Sequence, residues 1–284
     1  MQVLIIGSNG QLGKEMQRKL LEKGVSYDAY DIPDIDITDI SSIERIVKHE
    51  KYQYIINCAA YTDVDGAETN YELAYQCNAI GPKNISIVSD RYNAELIHIS
   101  TDYVFSGEGI LNDGKLRPYV ETDACLPTSA YGKTKLAGEE FVRQHSDKSY
   151  ILRTAWLYGD GNNFVKTMLR LAGQHNEIKV VNDQIGSPTS SAELAEAIFQ
   201  LMGSGHYGIY HATCEGLCSW YEFAKEIFKI TGLDVDLKPI QSADYPRPAK
   251  RPAWSVLENA GLKKLGMNHF CDWKIALRDY LQKQ

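Results

Sequence analysis

Three side chains in this sequence have the types and spacing of a proton-transfer site. Tyr131 and Lys135 are four residues apart in a predicted helix, so they share one face of it. Thr101 follows the apolar run 95–99, which is typical of a buried strand. A lysine ammonium stabilises a phenolate and lowers the tyrosine pKa from its ordinary value of about 10. Together these residues predict a site that delivers a proton to a carbonyl oxygen as hydride arrives.

A Tyr-x-x-x-Lys pair alone is more often an exposed helix pair, and a second motif favours the functional interpretation. Gly7, Gly10 and Gly13 follow a predicted strand at 3–6 and open a predicted helix at 11–23. Such glycines let the backbone approach a pyrophosphate, and the helix N-terminus supplies amide donors. Their spacing differs from the standard Gly-x-Gly-x-x-Gly fingerprint, and a plain tight turn would also explain three glycines. The flanking strand and helix favour a dinucleotide site.

Acidic residues after the second predicted strand bear on the choice of cofactor. Asp31 ends that strand, where a carboxylate can bind adenosine ribose hydroxyls and disfavour a 2′-phosphate. Asp36 could border the adenine, although either acid could instead belong to a solvated turn. Small residues at Ala59 and Ala60 end the third strand and would let a flat ligand lie against the backbone, or simply allow close packing. The acids favour NADH over NADPH without excluding NADPH.

The order of the predicted elements indicates an α/β protein with a Rossmann-type, doubly wound parallel sheet. Apolar strands alternate with helices as far as residue 155, and parallel strands covered on both faces are apolar in this way. The pattern loosens afterwards, which indicates a smaller, interleaved C-terminal substrate lobe. We therefore expect a cofactor domain over 1–155, joined by 190–213, and a lobe drawn mainly from 156–284. Tyr71–Tyr92 is predicted to form one long helix.

Composition narrows the classes of partner. The net charge of −7 over 284 residues argues against broad nucleic-acid binding. We expect no signal peptide and no membrane span, because no apolar run approaches the required length. The six cysteines are scattered, without the second pair or histidines of a metal site, so free thiols and a cytoplasmic location are expected.

These motifs resemble the extended short-chain dehydrogenase/reductases and, within them, the dTDP-4-dehydrorhamnose reductases. The resemblance covers nearly the whole chain, and its central motifs are far more specific than the glycines. It rests on the segments Gly10–Gly13, Asn57–Ala60, Ser100–Gly107, Tyr131–Glu139, Arg153–Gly159, Gly161–Val165, Asn182–Thr189 and Arg251–Pro252.

The resemblance implies roles for individual residues. It implies reduction of the 4-keto group of dTDP-4-dehydro-6-deoxy-L-mannose (dTDP-4-dehydro-L-rhamnose) to dTDP-L-rhamnose with NADPH or NADH. Tyr131 would donate the proton, Lys135 would support it and bind the ribose, and Thr101 would tune and position the reacting groups. Cofactor contacts are implied for Gly10, Gln11, Leu12, Asp36, Ile37, Ala59, Ala60, Tyr61, Asn78 and Ile99, and sugar contacts for Thr101, Asp102 and Trp156.

Two features of the implied substrate pocket can also be read from the residues alone. Trp156 offers a flat apolar face to a deoxyhexose, although a core tryptophan is an equally good interpretation. Arg247, Lys250 and Arg251 lie in a proline-rich loop and could neutralise a diphosphate, or they could form a solvated basic loop. The family pattern supports Arg251 as a substrate contact.

Other functions remain open at this point. A related nucleotide-sugar 4-ketoreductase, an epimerase with bound NAD, and a non-catalytic regulatory subunit would all use the same fold. Thr101, Tyr131 and Lys135 together favour an active enzyme. Some family members use magnesium, but no compact acidic cluster supports a metal here. A homodimer is one option for the oligomeric state.

Overall fold

The first strand and helix show how this sequence builds its elements. Gln2–Ile6 (β1) is apolar and almost fully buried, as expected of a central parallel strand. In the helix Gln11–Glu22 (α1), Leu12, Met16 and Leu20 recur every four residues and form the buried face. The burial of that stripe holds α1 against the sheet, and the glycine-rich turn connects β1 to α1.

The computed structural model describes residues 1–283 and extends this pattern along the chain. The further strands are β2 (Ser26–Tyr30), β3 (Tyr54–Asn57), β4 (Glu95–Thr101), β5 (Ile110–Asn112), β6 (Lys115–Arg117), β7 (Ser149–Thr154), β8 (Leu157–Tyr158), β9 (Glu177–Val181), β10 (Ile185–Gly186), β11 (Thr189–Ser190), β12 (Gly208–His211), β13 (Cys218–Ser219) and β14 (Asp236–Ile240). The further helices are α2 (Ile40–Val47), α3 (Gly66–Thr69), α4 (Tyr71–Tyr75), α5 (Gly81–Arg91), α6 (Ala130–His145), α7 (Phe164–Ala172), α8 (Ser191–Leu201), α9 (Trp220–Thr231), α10 (Ala260–Lys264) and α11 (Trp273–Gln282).

The central sheet has six strands in the order β12-β7-β4-β3-β1-β2. All neighbouring pairs are parallel, and the register places Ile6 beside Asn57 and Thr101 beside Thr154. The strand order reverses between β1 and β3, which is the place where such sheets open a crevice for ligands. The predicted doubly wound α/β fold is therefore confirmed.

Alternate residues of each strand bury opposite faces of the sheet. Val3 and Ile5 belong to a core cluster that includes residues of α1 and α8. Leu4 and Ile6 belong to a second cluster that includes residues of α2 and α5. This alternation follows from strand geometry and fixes both helical layers to the sheet. The carboxyl edge of the sheet is left uncovered by the layers.

A second lobe forms from segments that leave the sheet and return to it. The parallel pair β9–β14 and the helices α7 and α9 build this lobe. Phe164 and Phe223 stack at its centre, with ring centroids 5.5 Å apart. Between these segments the chain returns to the sheet, where α8 packs on α1 and β12 pairs with β7. The lobe is therefore interleaved with the sheet.

The prediction of one continuous helix over Tyr71–Tyr92 was wrong. It is divided into α4, a π-helical turn at Gln76–Ile80, and α5. Pro82 lies at the start of α5, where its missing N–H is tolerated. The π-helical turn places Asn78 in the interior, and such turns often occur at functional sites.

The strand β14 was not predicted, because Pro239 and exposed polar residues obscure its pattern.

Candidate active site

A cavity of about 1390 Å³ follows the carboxyl edge of the six-stranded sheet and continues into the second lobe. Its walls include the turn after β1, the ends of β3 and β4, and residues of α6 and α7. Cavities at this edge are the usual ligand sites of doubly wound sheets. The structure brings these predicted residues together in its lining: Gly7, Gly10, Gln11, Leu12, Asp31, Asp36, Ile37, Ala59, Ala60, Ile99, Thr101, Asp102, Tyr131, Lys135, Trp156, Arg247, Lys250 and Arg251.

The glycine-rich turn has the backbone geometry of an anion site. Gly7 has a left-handed φ of 80°, and a Cβ there would lie 2.5 Å from the Ala59 nitrogen. Gly10 precedes α1, and no side chain caps this helix, so its first-turn amides remain available to an anion. Gly13 does not line the cavity. A Cβ on Gly13 would lie 2.2 Å from the Gly7 oxygen, so this glycine allows α1 to pack against the turn.

The acids near the adenosine end are already held by hydrogen bonds. The Asp31 carboxylate accepts from the amides of Asn9 at 2.8 Å and Ile32 at 2.9 Å. Asp36 accepts from the amide and hydroxyl of Thr38 at 2.9 and 2.7 Å. Each carboxylate retains acceptor capacity, because an ionised carboxylate offers about four lone-pair sites. Both acids can therefore accept hydrogen bonds from a ribose or a base.

Asn78 supports the wall of the cavity from behind. Its side chain accepts from the Tyr61 amide at 2.8 Å and donates to the Tyr61 carbonyl at 3.0 Å and the Thr134 hydroxyl at 3.1 Å. Asn78 is fully buried, and neither it nor Tyr61 lines the cavity. Asn78 thus braces the loop after β3 against α6, and the cofactor contacts expected of Asn78 and Tyr61 stay predictions.

The three residues of the predicted proton-transfer site converge where β4 ends against α6. The Thr101 hydroxyl donates to Asp102 at 2.9 Å, and Thr101 and Tyr131 both line the cavity at this point. Lys135 donates from Nζ to the Ile99 carbonyl at 2.7 Å. Close approach of α6 depends on Gly132, where a Cβ would lie 2.2 Å from the Tyr103 oxygen. The helix therefore delivers both of its functional side chains to the strand end.

Burial controls the ionisation of this cluster. It raises the pKa of Tyr131, the Asp102 charge adds to this effect, and the neighbouring Thr101 hydroxyl opposes it. It lowers the pKa of Lys135 to about 8, and the Glu139 charge opposes this effect. The expectation that Lys135 would lower the Tyr131 pKa was wrong for this geometry. Desolvation outweighs charge stabilisation here, and Tyr131 stays protonated.

Asp102 is the most unusual carboxyl group on the cavity wall. Burial raises its pKa to about 6, and hydrogen bonds from Ser255 and Thr101 oppose that shift. Within residues 1–283, its Oδ2 atom is buried without a hydrogen-bond partner. A buried acceptor without a partner is costly, so this oxygen is suited to a ligand hydroxyl.

Trp156 is held in a strained backbone conformation beside the cavity. Its φ is 48°, a left-handed value that bulky residues rarely adopt and that costs on the order of 1–3 kcal/mol. Its ring stacks on Trp220, with centroids 3.5 Å apart and planes 8° apart. A Cβ at Gly186 would lie 2.5 Å from the Trp156 ring. Trp156 therefore packs between Trp220 and Gly186 and also lines the cavity.

The basic loop, residues 244–252, reaches back to the sheet domain through Asp65. Arg251 donates to Asp65 at 2.8 Å and to the Tyr103 hydroxyl at 3.2 Å. Arg247 lies 3.6 Å from the same carboxylate, and Lys250 pairs with Glu108 at the surface. Two arginines share one carboxylate, so the loop retains positive charge on the cavity wall.

Three functional candidates in or beside the cavity were not predicted from the sequence: Tyr103 and Trp220 line it, and Asp65 lies behind the lining residue Arg251. Asp65 fixes Arg251, and it follows the third strand in a run with Asp63, which was a usable signal. The Tyr103 ring meets that of Tyr131 edge to face at 5.4 Å. Trp220 begins α9, and nothing in its local sequence pattern links it to Trp156.

The donor set fits a dinucleotide and offers little to a metal. The uncapped N-terminus of α1, the close-packed glycines and the small residues after β3 form a cradle that a Cβ would fill. Within residues 1–283, no group of three or more acidic, histidine or cysteine side chains could hold a metal ion. Helices able to cross a bilayer, in length and apolarity, are likewise not found among those residues.

Comparison with known proteins places this architecture in a family. The model of the RmlD substrate binding domain matches residues 1–284. This chain belongs to the RmlD family. The Bacillus subtilis spore coat polysaccharide biosynthesis protein SpsK is 41% identical over 99% of this chain and 97% of its own length.

Solved structures agree with this assignment. A dTDP-4-dehydrorhamnose reductase from Clostridium acetobutylicum is 48% identical, with a TM-score of 0.96 over 100% of this chain and 99% of that one. A dTDP-4-dehydrorhamnose reductase from Bacillus anthracis, solved with NADP, is 41% identical, with a TM-score of 0.95 over the same shares. The predicted resemblance to this family of NAD(P)-dependent oxidoreductases is therefore confirmed. The match extends along the whole chain.

Proposed function

We propose that this chain reduces the 4-keto group of dTDP-4-dehydro-6-deoxy-L-mannose to give dTDP-L-rhamnose. The observation that carries the proposal is the meeting of Thr101, Tyr131 and Lys135 at the end of β4, inside a cavity that spans both lobes. Membership of the RmlD family supports the class of reaction and the class of sugar nucleotide. The hydroxyl, phenol and ammonium have the chemistry that carbonyl reduction requires.

Tyr131 is the proposed general acid. Its raised pKa keeps the phenol protonated at neutral pH, which is the form that can donate to a carbonyl oxygen. Thr101 lines the same part of the cavity and would orient the phenol and the substrate oxygen toward each other. Lys135 lies one helical turn away, and its ammonium would stabilise the phenolate that remains after proton transfer.

The proposed cofactor is NADH or NADPH. When bound, it supplies hydride to the carbonyl carbon. The pyrophosphate would be held by the first-turn amides of α1 near Gly10, Gln11 and Leu12. Asp31 would accept from the adenosine ribose, and Lys135 from its position on α6 would donate to the nicotinamide ribose. The Asp31 charge disfavours a 2′-phosphate, so NADH is the preferred cofactor in this proposal.

The sugar nucleotide would lie between the strand end and the second lobe. The unpartnered Oδ2 of Asp102 would accept from a sugar hydroxyl, and Trp156 would cover the apolar face of the deoxyhexose. Arg251 would donate to the diphosphate, because its guanidinium lies on the cavity wall and is only partly neutralised by Asp65.

Several coarser properties belong to the same proposal. Residues 1–155 with 190–213 would act as the cofactor unit, and 156–284 mainly as the substrate lobe. The enzyme would work in the cytoplasm, where nucleotide sugars and reduced cofactor are both present. A homodimer is the proposed assembly.

A panel of sugar nucleotides tests the proposed function. The purified chain is supplied in turn with dTDP- and UDP-linked 4-keto-6-deoxyhexoses, and with NADH or NADPH. We expect cofactor oxidation to be fastest with the dTDP-linked L-mannose derivative, and NMR of the product to show the L-rhamnose configuration at C4. Equal rates with the UDP-linked sugars, or the opposite C4 configuration, would overturn the assignment of substrate.

A further inference from the structure

Glu139 continues the functional face of α6 into the protein interior. It follows Lys135 by four residues, as Lys135 follows Tyr131, so the three side chains form one row on the helix. The Glu139 side chain accepts from the Ser100 hydroxyl, and Lys135 donates to the carbonyl of the preceding Ile99. Consecutive residues of β4 are therefore tied to successive turns of α6, directly beneath the proton-transfer site.

A buried arginine completes this arrangement from the next strand. Arg153 on β7 donates from Nε and Nη2 to the Glu139 carboxylate at 2.9 and 2.6 Å. Glu139 is 1% and Arg153 3% exposed. The guanidinium also donates to the Cys125 thiol at 3.2 Å and lies 5.2 Å from the centre of the Phe105 ring. The pair is thus removed from water and held on several sides.

Stability alone is a weak explanation for such a pair. Desolvating two charges offsets most of their attraction, and apolar replacements of buried pairs are often neutral or stabilising. The position of Glu139 supplies another explanation. Lys135 is 2% exposed, and burial disfavours its charged form. Glu139 is the carboxylate whose charge opposes that loss.

We propose that Glu139 is a positioning residue for the proposed reduction, and that its carboxylate keeps the buried Lys135 protonated while fixing α6 on β4. Arg153 holds the carboxylate in place and balances its charge without contacting the reacting groups. This inference rests on the proposed function, because a charged Lys135 matters only if it supports Tyr131.

Other ionisable groups also lie near Lys135, and their charges could influence its pKa in addition to the charge of Glu139. His98 on β4 is fully buried, and its pKa is lowered by burial and by the Lys135 charge, so it is neutral. Tyr131 is protonated. Asp102 after β4 and Cys77 on the π-helical turn line the same cavity as Lys135, and Arg153 on β7 pairs with Glu139.

The test measures the titration of Lys135 directly and needs no substrate. Lysine is labelled with ¹³C at Cε in the full chain, and the Lys135 resonance is assigned from its loss in Lys135→Met. We expect titration near pH 8 in the parent. In Glu139→Gln the midpoint should fall by about one pH unit or more, because the opposing carboxylate is gone. The alkaline limb of the kcat profile should move in the same direction.

Glu139→Gln leaves Arg153 buried without its carboxylate, so we expect this variant to lose stability. The double variant Glu139→Gln/Arg153→Met removes both charges and should remain folded. The proposal predicts that its Lys135 midpoint also falls relative to the parent. A double variant that folds and titrates like the parent would show that the pair is only structural, and would overturn the proposal.

Asp123→Asn serves as the matched control. It breaks another arginine–carboxylate pair, with Arg117 at 2.7 Å, in which the Asp123 side chain is 11% exposed. Its Lys135 midpoint should equal that of the parent. Because the titration uses neither cofactor nor sugar, failure of this inference is separate from failure of the proposed function, which the assay of parent turnover decides.

Discussion

The catalytic edge and the basic loop use charge in opposite ways. We define the catalytic edge as Thr101, Asp102, Tyr131 and Lys135. Lys135 is 2% exposed there, whereas Arg247 and Lys250 in the basic loop have side chains 46% and 61% exposed. Desolvation moves ionisation equilibria at the edge, while exposed pairs in the loop contribute little to stability. This difference agrees with the proposed function, in which the edge would transfer a proton and the loop would bind the diphosphate.

The difference has a cost in stability at the catalytic edge. The unpartnered oxygen of Asp102 and the buried Lys135 each oppose folding, and the strained backbone of Trp156 adds to this cost on the same cavity wall. No comparable burden falls on Arg247 and Lys250 in the loop, because both side chains reach water. Substitutions at the edge should thus raise stability while lowering activity. Substitutions in the loop should weaken substrate binding while leaving kcat unchanged.

The largest effect on stability should come from Asp102→Asn. Folding raises the Asp102 pKa from 3.8 to about 6, so the ionised carboxylate destabilises the folded state as pH rises through that window. The variant should be more stable than the parent at pH 7 by on the order of 2–3 kcal/mol, and equal to it below about pH 4. Urea unfolding across pH measures this, and turnover should fall.

The control for Asp102→Asn has the opposite sign. The Arg117 hydrogen bond lowers the Asp123 pKa, so its stabilising effect is present at neutral pH and is lost in acid. Asp123→Asn should therefore be less stable than the parent at pH 7. If Asp102→Asn is also less stable than the parent at pH 7, then ionised Asp102 does not destabilise the folded state, and the contrast with Asp123 is wrong.

Arg251→Met should have the next largest effect, and should act on binding. Loss of the guanidinium removes a charge-assisted contact to the proposed diphosphate, so KM for the sugar nucleotide should rise on the order of thirtyfold, equivalent to about 2 kcal/mol. The value of kcat and the free energy of unfolding should change little. Lys238→Met, on the exposed strand β14, is the control with no expected change. A fall in kcat alone would contradict a binding role.

The smallest effect should come from Asp31→Asn, at the cofactor end. The amide keeps an oxygen for the Asn9 amide but removes the charge that repels a 2′-phosphate. The ratio of kcat/KM for NADPH to that for NADH should rise about tenfold, or about 1.4 kcal/mol. Asp34→Asn, outside the cavity lining, should leave the ratio unchanged. An unchanged ratio in Asp31→Asn would show that Asp31 does not determine the preference between NADH and NADPH.

The same contrast explains how much the sequence could predict. The catalytic edge depends on local rules: a strand end, and two residues one turn apart on a helix, and both were predicted. The loop depends on Asp65, which is 186 residues from Arg251 in the sequence, and no local pattern encodes that pairing. The direction of the Tyr131 pKa shift was missed for a related reason, because burial is a property of the whole fold.

The most direct test of the central claim compares Tyr131→Phe with Tyr52→Phe. Tyr52 binds Asp28 at 2.7 Å and does not line the cavity, so its variant controls for loss of a phenol elsewhere. With the dTDP-linked 4-keto sugar, Tyr131→Phe should lose about 10²–10⁴-fold in kcat while cofactor binding stays unchanged, and Tyr52→Phe should retain parent turnover. A Tyr131→Phe enzyme as fast as the parent would contradict the assignment of Tyr131 as the proton donor.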